Sequence, residues 1–172
     1  MKNLIKTFGS MINIRQILIG ATVLLVGTLV YLVDRPPDQT YFVYISPFNI
    51  SLFKTPPSLF GLIGNSLPSL IHVFSFILIT AGFLSCQKKC CIIICASWFL
   101  TDTVFELGQK FKPWSSTIVP DWFSGIVFLE NSKNYFLCGT FDYFDLAAIT
   151  MGTVIAFFVL LFTNKGERRV MP

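Results

Sequence analysis

Four stretches of the chain are nearly free of charge, and each is about as long as the hydrocarbon layer of a bilayer is thick. The first runs from Gln16 to Val33, with Lys2, Lys6 and Arg15 before it and Asp34, Arg35, Pro36 and Pro37 after it. The others are Ser66 to Ser85, Cys90 to Phe111 and Phe144 to Thr163. A helix rises about 1.5 Å per residue, so roughly 20 apolar residues cover about 30 Å of hydrocarbon, and each stretch predicts a spanning helix. A secretory leader also has a basic start and an apolar run. No A-x-A-like cleavage site precedes the turn at Asp34 to Pro37, so the first stretch is expected to stay as a span. The expected fold is all-α: residues 1–172 form a single membrane domain, a polytopic bundle of four transmembrane helices.

Two loops separate these runs on one side. The first, 34–65, holds Pro36, Pro37, Pro47, Pro56 and Pro57 among aromatic residues, which predicts an extended path against the membrane face. The second, 112–143, contains an apolar run from Pro120 to Leu129, too short to span and suited to a short helix lying in the interface. Composition agrees with a membrane protein. Of 172 residues, 53% are hydrophobic and only 13% charged, whereas about a quarter of a soluble domain is charged. The net charge of +4 is modest, and the basic residues stand at the ends of apolar runs, so nucleic acid is not an expected partner.

The placement of those basic residues gives an orientation. With the N-terminus inside, the inner segments hold Lys2, Lys6, Arg15, Lys88, Lys89, Lys165, Arg168 and Arg169 against Glu167 alone, a charge of +7 opposed to −3 outside. The positive-inside rule then puts both termini in the cytoplasm.

Ionisable groups inside a span are costly, so each asks for a reason. The third run carries Asp102, Glu106 and Gln109 on one helical face. The second carries His72, the only histidine, and the fourth is preceded by Asp142 and begins with Phe144 and Asp145. All six residues fall at the outer end. They predict a polar pocket opening to the outer leaflet, in which His72 with Glu106 would form a base and its orienting carboxylate, or would share a divalent ion with Asp142 or Asp145. Plainer roles compete with these: helix capping for Asp142 and Asp145, an ion pair with Lys110 for Glu106, and a loop carbonyl for His72.

Three segments look like the signatures of the VanZ-like family: Ser69 to Phe76 around His72, Phe105 to Pro113 with Glu106-x-x-Gln109, and Phe141 to Ala148 with Asp142 and Asp145 followed by Gly152. The chain departs from the family pattern at Ile149, where the family has Asn, and by an insertion at 114–139. The resemblance implies an envelope-facing protein of the bacterial cytoplasmic (inner) membrane and implies no defined reaction. Two functions follow as expectations. One is a site for an envelope or lipid-linked molecule; the other is a non-catalytic accessory subunit that meets membrane-protein partners through its outer loops.

Cysteines and small residues complete the inventory. Cys86, Cys90, Cys91 and Cys95 flank the Gln87-Lys88-Lys89 turn without Cys-x-x-Cys spacing, which leaves thiols packed in an apolar bundle beside a metal site as readings; Cys138 stands apart. No cofactor motif is present, and none is expected. The stripe Ala148, Gly152, Ala156 predicts close helix approach, within the bundle in preference to a partner.

Overall fold

In hydrocarbon every backbone N–H and C=O must be paired within its own segment, which leaves long apolar runs little choice but helix. The computed structural model describes residues 12–34, 60–85, 88–126, 129–130 and 132–167, and among these there is no strand. Four long helices are present: α1 (Ile14–Asp34), α2 (Gly61–Leu84), α3 (Lys88–Lys110) and, after two short helices, α6 (Tyr143–Glu167). The short pieces between α3 and α6 are α4 (Lys112–Ile118), a 3-10 turn (Asp121–Gly125) and α5 (Ser132–Cys138). Ile63–Leu84, Lys88–Lys110 and Tyr143–Asn164 are each long and apolar enough to cross a membrane, while α1 carries a shorter apolar run, Ile14–Val30. Of the loop expected at 34–65, residues 35–59 lie outside the described residues, as do Cys86 and Gln87. Its last five residues belong to α2.

The surface has the distribution that lipid requires. Ile63, Ile93, Val104 and Phe162 point outward and are well exposed, a pattern that water would penalise. The core lies around α2, which sits between α1 on one side and α6 on the other, with α3 packed across α2 and α6. Val73, Ile77, Leu78 and Ala81 of α2 meet Cys91 and Ile94 of α3 and Ile149, Ala156 and Leu160 of α6.

Glycines set how closely these helices approach. A Cβ on Gly20 of α1 would stand 2.8 Å from the Ser75 carbonyl oxygen, and one on Gly152 of α6 would stand 2.6 Å from that of Leu70. The small-residue stripe of α6 therefore packs against α2, inside the molecule. Pro68 falls in the second turn of α2, where it removes one backbone donor without ending the helix. Ser85 ends α2 in the left-handed region (φ 46°), its N–H bonded to the Ala81 carbonyl.

At the end of the molecule where α1 begins, a buried polar cluster joins all four long helices. Asn13 caps α1 by accepting the Gln16 N–H (3.2 Å), and its own N–H donates to the Gly82 carbonyl of α2 (2.8 Å). The Gln16 side chain, 1% exposed, donates from Nε2 to Thr163 Oγ1 (2.8 Å) and Asn164 Oδ1 (2.9 Å). Asn164 Nδ2 in turn donates to Cys91 Sγ (3.4 Å), which gives one of the four clustered cysteines a packing and hydrogen-bonding role. Gln16 Oε1 is buried with no partner, which offsets part of the gain. Gln16→Leu should lower the melting temperature in detergent by only a few degrees, since interhelical hydrogen bonds in membranes are worth about 0.6 kcal/mol on average.

Candidate functional site

The chemistry-bearing residues run from the middle of α2, where His72 meets Asp102 of α3, to the opposite end of the molecule, where α6 starts. His72 of α2 and Asp102 of α3 meet directly, Nδ1 to Oδ2 at 3.1 Å. The histidine side chain is 49% exposed and the aspartate 11%, so a shielded carboxylate holds one face of an accessible ring. With Nδ1–H donating to Asp102, Nε2 is left as the acceptor nitrogen of the ring. The ring also packs on Phe76, centroid to centroid 4.4 Å. Phe76 stacks on Trp98 at 4.8 Å, and Trp98 Nε1 donates to Thr80 Oγ1 (3.0 Å), which fixes this aromatic column between α2 and α3.

One turn along α3, Glu106 is 5% exposed and accepts the backbone N–H of Asp142 through Oε1 at 2.9 Å. The pairing of His72 with Glu106 expected from the sequence therefore does not form; Asp102, one turn earlier on the same face, takes that place. Nor does Glu106 pair with Lys110. The Lys110 ammonium donates to Tyr143 Oη (3.2 Å) and lies 5.0 Å from the centre of the Phe141 ring, an arrangement that suits a cation among aromatic faces.

The two aspartates at the start of α6 divide their work. Asp142 is the N-cap: its Oδ1 accepts the Phe144 N–H at 2.9 Å, and its carbonyl accepts the Asp145 N–H at 3.2 Å. Asp145 reaches across to α2, where Ser69 Oγ donates to its Oδ1 (3.1 Å). Ser69 and His72 are one turn apart on α2, so that helix contacts α6 through one and α3 through the other. Gln109 is buried against the backbone of Gly139, where any side chain would collide with its amide. All six sequence-predicted residues lie between the level of His72, midway along α2, and the end where α6 starts. They comprise the His72–Asp102 pair, of which the imidazole alone is exposed, the buried Gln109, and a set that secures the start of α6, in which Glu106 is buried and Asp142 and Asp145 are half-buried. Among the described residues no three His, Cys, Asp or Glu side chains converge as a metal site would require.

α4 and α5 close over the end of α3 that lies beside the start of α6. Phe136 of α5 packs against Gly108 and stacks on Phe105 at 5.5 Å, and Ser115 of α4 donates to the Gly108 carbonyl at 2.9 Å. The run expected to lie in the interface as a helix contains the short 3-10 turn. Lys133 of α5 pairs with Asp121 of that turn at 2.7 Å, which holds the exposed carboxyl below its usual range. Trp114, Ile118 and Trp122 project outward from this cap. Sequence reasoning did not anticipate the partnership of Ser69 with Asp145, or Trp98 as the wall beside His72. The spacing of Ser69 and His72 was the available signal.

A groove of about 430 Å³ lies between α3 and α6, and none of the six residues lines it. Compared with family models, curated proteins and solved structures, the chain matches none.

Proposed function

We propose that the chain crosses the membrane four times, α1 included, and uses the His72–Asp102 pair, reached from its outer side, to bind the polar headgroup of an envelope or lipid-linked molecule. The supporting observation is the half-exposed imidazole, oriented by a shielded carboxylate and backed by Phe76 and Trp98. Such a ring offers a donor or acceptor at Nε2 beside an apolar wall, which suits an amphipathic ligand at the membrane surface. Membership of the VanZ-like family belongs to this proposal and rests on the three short motifs alone. So does the cytoplasmic placement of both termini in a bacterial inner membrane, which rests on the charge count. One observation opposes that orientation: Cys90 is disulfide-bonded, and disulfides persist in oxidising compartments. Membrane-impermeant labelling of a cysteine introduced at Lys89 reads the orientation directly.

The site is tested by extracting the protein from its own membranes and measuring bound lipid-linked molecules by native mass spectrometry. His72→Ala should lose a bound species that the parent retains, at unchanged protein yield. Identical ligand content in both would sink the reading. The second reading, an accessory subunit, is favoured by the exposed Trp114, Ile118 and Trp122 on the outer cap. It requires a stoichiometric partner to copurify in mild detergent and to be lost when Trp114 and Trp122 are replaced by serine.

A further inference from the structure

The groove between α3 and α6 has a physical origin. Near the His72 end the two helices are joined by Glu106 and Asp142, and near the other end by Cys91 and Asn164. Between those ties Ala96 and Thr153 are too small to fill the gap, which is walled by Ile92, Phe99, Phe157 and Phe158. The hollow is therefore narrow, apolar and open to the lipid side. Lys88, Ile92, Ala96 and Phe99 recur at helical spacing, so Lys88 stands on the same face of α3 one turn below the groove. Lys89 beside it is also exposed, and α3 has no acid before Asp102. The first turn of a helix carries partial positive charge as well.

We infer that this groove holds one acyl chain of an anionic phospholipid whose phosphate rests against Lys88 and Lys89. The apolar walls accept methylenes and offer nothing to a polar ligand, while the paired lysines at the groove's end select a negative headgroup. A second copy of the chain would need an apolar face where the lysines stand. The inference depends on the helices lying in a membrane and is independent of the His72 site.

Purified protein in mild detergent is exchanged with phosphatidylglycerol or with phosphatidylcholine of the same chain length, and bound lipid is counted by native mass spectrometry. Phosphatidylglycerol should stay bound, one molecule per chain, and phosphatidylcholine should bind more weakly. Replacing Lys88 and Lys89 together by alanine should lower the affinity for phosphatidylglycerol about thirtyfold, the effect expected of two lysines near an anionic headgroup. Ala96→Phe, at a lipid-facing position, should remove both lipids; Thr153→Leu narrows the groove from the other wall if the first variant does not accumulate. Equal retention of the two lipids by the parent overturns the inference, as does retention untouched by either groove variant. A dimer abolished by Ala96→Phe assigns the groove to a second copy instead. Loss of phosphatidylglycerol in His72→Ala would move the lipid to the outer site and overturn the inference too.

Discussion

Glu106→Ala should melt several degrees below the parent in detergent, and Glu106→Gln should melt within about a degree of it. The carboxylate is buried and its Oε1 accepts the Asp142 N–H, the residue that caps α6. Alanine leaves that half-buried N–H without its partner, at a penalty toward the lower end of about 1–3 kcal/mol. A loss of that size lowers the melting temperature of a chain this long by roughly 2–4 °C per kcal/mol. Glutamine keeps an acceptor at the same reach. The comparison separates the two roles open to this residue: in native mass spectrometry Glu106→Gln should bind the same ligands as the parent, because its part is to position α6. Loss of ligand from a Glu106→Gln protein that melts like the parent would show that the charge itself meets the ligand.

Gly152→Leu should be the most damaging single change in the molecule. A Cβ there would lie 2.6 Å from the Leu70 carbonyl oxygen and 2.6 Å from Val73 Cγ1. The first is backbone of the central helix and has no rotamer to yield, so α2 and α6 must separate. Separation opens the packing of Ile149, Ala156 and Leu160 against α2 and pulls Asp145 from Ser69. Overpacking a core commonly costs about 1–3 kcal/mol, and displacement of a whole helix raises the loss above that range. Gly125→Ala is the control, since a Cβ at Gly125 meets nothing within 4 Å. Intrinsic tryptophan fluorescence on heating reads both variants, and equal melting temperatures would contradict the packing described.

The long helices were legible because hydrocarbon demands a minimum apolar length, and an apolar run of about 20 residues is seldom anything but a span. Their ends were less so. α2 begins at Gly61, five residues before the apolar run suggested, and Pro68 in its second turn leaves the helix intact. α4 and α5 are seven residues each, too short for a periodic pattern to emerge. The six polar residues of the candidate site were visible as anomalies in apolar sequence, but their pairing was not. Asp102 and Glu106 share one face of α3, and only the level at which α2 crosses decides that His72 meets the first. Gln16 stood out as a polar residue at a basic helix start, and nothing local to it announces partners on α6.

The Gln16 clamp has a consequence for biogenesis. Its partner Thr163 lies 147 residues later in the chain, so during synthesis α1 is made long before anything exists to satisfy its amide. Until α6 arrives, that end of α1 carries an unmet polar group and rests only on α2. A chain stalled or truncated ahead of α6 would therefore expose a signal in the bilayer that the finished protein conceals, and membrane proteases that seek polar defects in spans would have a means of telling the two apart.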